Sequence, residues 1–199
     1  RHLAQVAEMR AGLETTLGRE IRLGGIANTH SHYVLGTMVS MDVGAAVYAH
    51  EDLLTNLMAD TGVSVLSGNF NTRAVIQFGM LHPTEGPDAF PSKLGFSMDK
   101  LTGKKGFVPP TVTFADGEIE IHEIAGLTVE VLPSQTDVLD SVAYYFPETK
   151  LLVSNALNGS DSLFNLYTLR GDIYRDPMQL VAAADLALSR DIDVMVDIH

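Results

Sequence analysis

Asn28-Thr29-His30-Ser31-His32-Tyr33 decides the fold assignment, and it follows a mainly apolar run at residues 21–27. The apolar run predicts a β-strand. If the backbone turns after that strand, two imidazoles one residue apart can face the same point. Because neutral imidazole is a metal ligand, His30 and His32 are candidate metal ligands. On its own, His-x-His is a short motif that also suits two loop histidines hydrogen-bonded to the backbone.

Composition predicts a single globular domain over residues 1–199, because 46% of the residues are hydrophobic and can bury a core. The formal net charge of −12 argues against nucleic acid or an anionic membrane surface as a general partner. An anionic substrate would therefore need a local cation.

The sequence predicts neither a signal peptide nor a membrane-spanning helix. The chain has no Cys, so disulfides contribute nothing. No apolar run reaches the roughly 20 residues of a spanning helix, and no signal-peptide pattern opens the chain. We expect a soluble chain without a membrane span. Because it opens at Arg1 and closes on His199 directly after an apolar strand, we also expect both ends to be cut.

Hydrophobic periodicity predicts alternating strands and helices, which is typical of a layered α/β sheet. Apolar residues from Leu3 to Leu17 recur at helical spacing, and Gly18 is a plausible stop. Further helices are predicted at residues 51–60, 72–80 and 177–189, the last with Met178, Val181, Leu186 and Leu188 available for the core. Strands are predicted at residues 21–27, 43–48, 111–114, 118–124, 127–132, 141–146, 150–153 and 193–198.

A long segment at residues 82–110 breaks this pattern. It contains several prolines and glycines and has no clear period. Segments of this length without their own secondary structure are usually binding loops, lids or disordered. With Phe90, Phe96 and Phe107, the segment could cover an apolar substrate tail.

Several longer motifs identify a family. They are THSHY at 29–33, VYAHEDL at 47–53, GNFNTRAVIQFGM at 68–80, YYFPETKLLV at 144–153 and NLYTLRGDIYRDPMQ at 165–179. In this order the chain resembles metallo-β-lactamase-fold hydrolases of the alkyl sulfatase type. The resemblance implies a four-layer αββα sandwich. Strands precede the His-x-His loop in that fold, so we expect an N-terminal part of one sheet to be missing here.

The first metal motif departs from the family pattern His-x-His-x-Asp-His. This chain has His30-Ser31-His32-Tyr33-Val34-Leu35-Gly36. Either Val34 and Leu35 replace the Asp and His, or two residues are deleted. We favour the deletion because it keeps Gly36 in its place. Neither interpretation supplies the missing ligands.

The resemblance implies further ligands for zinc, of which the family binds two ions. In the segment after residue 132, Gln135 would match the histidine of the general superfamily, and Asp137 would match the carboxylate of alkyl sulfatases. We predict Asp137 as the third ligand, against an ordinary loop aspartate. His199 occupies the place of a late histidine ligand. The bridging carboxylate falls on Leu157, or on Asn155 with a shift, and residues 151–160 contain no Asp or Glu.

Two residues are candidates for binding the substrate. Arg170 offers a planar fork of donors suited to a sulfate or phosphate, although a salt bridge to Asp172 or Asp176 is the structural alternative. The resemblance assigns Asn69 to the sulfate as well. Ile76 and Phe78 stand where the family has aromatic residues with hydroxyl groups.

Two functional hypotheses follow. The resemblance implies a metal-dependent hydrolase that cleaves a sulfate or other anionic ester with a metal-activated water, acting as a homodimer. The alternative is a metal-free, degenerate member of the fold that serves as a binding or assembly module. The missing ligand positions favour the alternative, and the longer motifs favour the enzyme.

Overall fold

A computed structural model of the chain describes residues 3–22, 24–27, 41–59, 68, 72, 75–76, 81–83, 85–87, 106–115, 117–157 and 174–198. Within these ranges, none of the helices has both the length and the apolar character that a membrane crossing requires. The helices are α1 (Leu3–Leu17), α2 (Leu53–Ala59) and α3 (Pro177–Leu188). The strands are β1 (Gly25–Ala27), β2 (Val47–His50), β3 (Val112–Phe114), β4 (Glu120–Ile124), β5 (Leu127–Pro133), β6 (Val142–Phe146), β7 (Leu151–Asn155) and β8 (Val194–Ile198).

The described strands form two sheets. The first has three parallel strands in the order β1-β2-β3, and the second has five strands in the order β4-β5-β6-β7-β8. In the second sheet the pairs from β4 to β7 are antiparallel, whereas β7 and β8 are parallel. The helix α3 lies between β7 and β8 in sequence, as a parallel connection requires.

The side chains of β2 connect the layers because they alternate between its two faces. Val47 and Ala49 pack with Leu53 and Leu57 of α2. Tyr48 faces the other way and stacks with Phe114 at a ring distance of 6.1 Å.

Phe114 carries the packing from the first sheet to the second. It is 1% exposed and forms one core cluster with Val129, Val131 and Tyr144 of the second sheet. On the far face of that sheet, Leu132 and its neighbours pack with Ala187 of α3. The order of layers is therefore helix, sheet, sheet, helix, which confirms the predicted αββα sandwich.

The prediction of what packs under the helices was partly wrong. The helix α1 forms, but Met9, Leu13 and Leu17 remain about half exposed rather than packed. In α3, Met178, Val181 and Leu188 are exposed, while Ala183 and Ala187 are buried. The side of α3 that faces the core therefore carries its small residues rather than its large apolar ones. Alanine suits this side because its small side chain lets the helix approach the sheet closely. Leu186 is partly buried, as predicted.

Several element boundaries also differ from the prediction. The strand expected over residues 43–48 begins at Val47, because Gly44 takes a positive φ of 79° in a turn and Val43 is fully exposed. The strand expected over 21–27 begins at Gly25. There a Cβ would lie 2.8 Å from the Met41 sulfur, so only glycine fits without a shift. Much of the predicted helix at 72–80 and of the segment at 82–110 lies outside the described residues.

Candidate active site

The strand topology places several predicted site positions at one edge of the second sheet. Because β5 and β7 are both antiparallel to β6, and β8 is parallel to β7, these three strands end at the same edge. Asp137 follows β5, Asn155 is the last residue of β7, and His199 comes directly after the last residue of β8. Carboxyl ends of strands that meet in this way are a frequent location of ligand sites.

Buried polar side chains are concentrated at this edge. In the connection from β5 to β6 they are Ser134, Thr136, Asp137, Asp140 and Ser141, and at the end of β7 they are Ser154 and Asn155. Buried polar groups are costly unless they are hydrogen-bonded or have a functional role. The connection from β5 to β6 is thus a buried polar loop.

Hydrogen bonds tie this loop to β7. The Thr136 hydroxyl donates to the main-chain carbonyl of Asn155. The Asn155 side-chain amide in turn donates to the Ser141 hydroxyl at 3.4 Å. Asn155, one of the two positions considered for the bridging carboxylate, therefore contributes an amide that bonds to the loop.

Arg175 fixes the predicted ligand Asp137. Its Nη2 lies 3.0 Å from Asp137 Oδ1, and its Nε donates to the Asp137 main-chain carbonyl at 2.5 Å. The two side chains are 14% and 5% exposed, so this is a largely buried ion pair. Because the planar guanidinium binds both the carboxylate and the main-chain carbonyl of Asp137, it fixes the direction of the Asp137 side chain.

The donors at this edge are of types that bind a metal ion. Asp137 Oδ1 is engaged by a guanidinium, and a carboxylate has a second oxygen with which it can bind a cation. Imidazole and carboxylate donors, as in the predicted set, suit zinc. Within the described ranges no three His, Asp or Glu side chains are grouped so as to hold a metal ion. The roles of His30, His32, Asp137 and His199 as ligands remain predictions.

Asp197 is a residue of this edge that sequence analysis missed. Its Oδ1 accepts from the Ser154 hydroxyl at 2.5 Å and from the Leu157 main-chain N–H at 3.2 Å. Residues 151–160 contain no acidic residue, but the parallel pairing of Ser154 with Asp197 brings a carboxylate from the next strand. A carboxylate therefore does lie beside Leu157, the other position considered for the bridging ligand.

Burial affects the chemistry of Tyr144 on the inner face of the same sheet. Burial first, and then the Asp140 carboxylate, raise the pKa of Tyr144 far above its ordinary value of 10.0. The phenol therefore stays protonated and neutral over the working pH range. Its hydroxyl has no hydrogen-bond partner within the described residues.

Most of the remaining predicted site residues lie outside the part of the chain that the structure describes. His30, His32, Asn69, Arg170 and His199 lie outside the described residues, as do Val34 and Leu35. Asp176, an alternative partner for Arg170, caps α3 by accepting from Met178 N–H at 2.9 Å. At the junction between β2 and α2, His50 Nδ1 accepts a hydrogen bond from Asp52 N–H at 3.1 Å.

Comparison with solved structures defines the fold class. The sec-alkylsulfatase Pisa1 from Pseudomonas sp. aligns with a TM-score of 0.70 and 21% identity, over 94% of this chain and 31% of that protein. TTHA1623, solved in a di-iron-bound form, aligns with a TM-score of 0.53 and 19% identity, over 96% of this chain and 76% of that protein. The chain has the metallo-β-lactamase fold.

Sequence comparison narrows the class within that fold. The linear primary-alkylsulfatase of Pseudomonas sp. (strain ATCC 19151) is 32% identical over 153 residues, which cover 77% of this chain and 28% of the relative. No protein-family model matches the chain. Within the metallo-β-lactamase fold, the chain is similar in sequence to alkyl sulfatases. It spans less than a third of the length of the relative it matches.

Proposed function

We propose that the chain forms the catalytic part of a metal-dependent hydrolase that cleaves a sulfate ester, or a related anionic ester, with an apolar tail. The observation that carries this proposal is the convergence of three strand ends on one polar edge. That edge bears Asp137 and Asn155, and in the sequence His199 comes after Ile198, the last residue of β8. The similarity to alkylsulfatases supports the same substrate class.

The metal would be held by His30, His32, Asp137 and His199. When bound, zinc supplies a water whose pKa is lowered to near neutrality, together with positive charge near the ester. The chain itself contributes the position of the Asp137 carboxylate. Arg175 keeps that carboxylate fixed, because it forms an ion pair with the Asp137 side chain and a hydrogen bond with the Asp137 main-chain carbonyl.

Charge supports a specific role for Arg170. A chain with a net charge of −12 repels an anionic ester unless a local cation attracts it. A guanidinium can donate two parallel hydrogen bonds to two oxygens of a sulfate. Arg170 with Asn69 would bind the sulfate and stabilise it as the leaving anion.

The test measures sulfate release from decyl sulfate by protein purified without chelator. Arg170→Ala should lower kcat/KM by about a hundredfold, because one charged donor to a developing anion contributes at that scale. Arg22→Ala, which removes an exposed arginine, should leave it unchanged. Equal activity of the native chain and Arg170→Ala would refute the assigned role, and no sulfate release from the native chain would refute the proposed function.

A further inference from the structure

The bend that follows β7 has an unusual backbone conformation. Ala156, the first residue after β7, is 4% exposed and has a φ of 52°. This is the left-handed region, which a residue with a Cβ rarely adopts because the Cβ comes too close to the next carbonyl oxygen. Ala125 and Lys150 also have a positive φ, but they lie in turns between antiparallel strands. Ala156 leads out of β7 beside a parallel strand, so its conformation must be held in another way.

The carboxylate of Asp197 in β8 holds this bend from both sides. Its Oδ1 accepts from the Ser154 hydroxyl at 2.5 Å and from the Leu157 N–H at 3.2 Å. The Ala156 N–H donates to the Ile198 carbonyl at 3.2 Å, so the same strand also binds the residue between them. One carboxylate oxygen therefore connects the residues on either side of Ala156, which keeps the backbone there in its left-handed form.

The bend is also bound to the loop that carries Asp137. The Thr136 hydroxyl donates to the Asn155 main-chain carbonyl, and Thr136 directly precedes Asp137 in the sequence. On the other side, the bend binds Ile198, which directly precedes His199. The distance between residues 137 and 199 therefore depends on the conformation of this bend.

Asp197 differs in character from the rest of its strand. The other four residues of β8 are apolar, and the Asp197 side chain is half-buried. A half-buried carboxylate loses hydration, which is unfavourable unless hydrogen bonds replace it. Its two donors here belong to Ser154, which is 2% exposed, and to the main chain of Leu157. Hydrogen bonds to a charged acceptor are stronger than neutral ones, so they can stabilise an unfavourable backbone conformation.

We propose that Asp197 is a positioning residue of the polar edge. By holding Ala156 in the left-handed conformation, it sets the spacing between Asp137 and His199 and thereby the affinity for the metal. This inference rests on the proposed function, because it takes these two residues as metal ligands. Residues that orient metal ligands contribute strongly to affinity without touching the ion. Asp197 acts through its two hydrogen bonds rather than through its charge.

The dissociation constant for zinc tests this role without requiring hydrolysis. It is measured on the full chain by competition with a chromophoric chelator. Asp197→Ala should weaken zinc binding about tenfold to about a hundredfold, as the loss of a residue that orients ligands does. Asp197→Asn should remain within about threefold of the native chain, because an amide oxygen can accept the same two hydrogen bonds. An equal loss in both variants would overturn the positioning role.

The control is Glu130→Ala, which removes another carboxylate of the same sheet. Glu130 lies in β5 and accepts from Arg190 Nε at 2.7 Å. This variant should bind zinc as tightly as the native chain. Equal weakening in Glu130→Ala and Asp197→Ala would show a general effect of lost stability and would overturn the proposal. A thermal melt of each variant confirms that it is folded.

Glycine at position 156 tests how Asp197 acts. Because glycine adopts the left-handed conformation without a steric penalty, Ala156→Gly should make the bend less dependent on Asp197. In that background, Asp197→Ala should weaken zinc binding only about threefold. The same loss in both backgrounds would overturn the proposed mechanism. If Asp197→Ala does not fold on its own, Asp197→Asn and the double variant still provide the comparison.

The zinc measurement also separates this inference from the proposed function. If the native chain and Asp197→Ala bind zinc equally well, the positioning role fails while the proposed metal site stands. If the native chain binds no zinc, the proposed function fails and the positioning role fails with it. Tight binding by the native chain and Asp197→Asn, with a clear loss in Asp197→Ala, supports both.

Discussion

Individual side chains at the polar edge contribute to the free energy of unfolding, and substitutions measure each contribution. The ion pair of Arg175 with Asp137 is the clearest, because both groups are largely buried. Arg175→Ala should lower the free energy of unfolding by about 3 kcal/mol, since it removes one side of a buried charge pair. Urea unfolding measures this loss. Arg22→Ala, at an exposed position, should change stability by less than about 0.5 kcal/mol.

The serines of the same loop provide a matched pair. The Ser141 hydroxyl lies 3.4 Å from the Thr136 hydroxyl and accepts a hydrogen bond from the Asn155 amide. The Ser134 hydroxyl has no hydrogen-bond partner in the described residues. Ser141→Ala should lower the free energy of unfolding by about 1 to 2 kcal/mol because it leaves the buried Asn155 amide without its acceptor. Ser134→Ala should be neutral or slightly stabilising. Equal losses in the two variants, measured by urea unfolding, would contradict these assignments.

At the scale of elements, α3 begins where its sequence predicts. Asp176 precedes Pro177, and its carboxylate accepts the Met178 N–H, so a capping aspartate and a proline in the first turn act together. Asp176→Ala should lower the free energy of unfolding by about 1 kcal/mol. Thermal or urea unfolding checks this value. Asp185→Ala, an exposed position in the same helix, is the control and should have a much smaller effect.

Glu120 of the strand β4 makes the stability of the chain depend on pH. Its Glu120 accepts the Ala115 N–H at 2.7 Å, and this bond, with a smaller contribution from His122, lowers the pKa of Glu120 below its ordinary value of 4.5. A lowered carboxyl pKa stabilises the fold above the ordinary pKa, and the stabilisation is lost as pH falls through the folded value.

Glu120→Gln should therefore destabilise the chain near neutral pH and have a smaller effect in acid. Urea unfolding from pH about 6 to about 3 tests this sign. The exposed Glu8→Gln serves as the control and should show no such convergence. A difference between Glu120→Gln and the native chain that grows as pH falls would contradict the assignment.

Sequence patterns predicted the elements better than their packing. Spacing predicted that α1 and α3 are helices, but not which side of each is buried, because that depends on what lies opposite. In α3 the buried side carries Ala183 and Ala187, whose small size permits close approach to the sheet. The apolar residues Met9, Leu13 and Leu17 of α1 follow a helical pattern, although about half of their surface is exposed.

At the scale of the molecule, the αββα order was predicted from motifs and is present in the packing around Phe114 and α3. The approach of Asp197 to Leu157 was not predicted, since it depends on a register between strands that are distant in sequence. The assignments of Asn69, Arg170 and the three histidine ligands remain predictions, as does the homodimer.

The proposed function requires that the polar edge binds a metal. The most direct test is elemental analysis of protein purified without chelator, together with the same analysis of His32→Ala. We predict at least about one equivalent of zinc or a similar ion in the native chain, and a clear loss in His32→Ala because an imidazole ligand is removed. Metal content near zero in both proteins would rule out the proposed metal site and favour a metal-free binding module on the same fold.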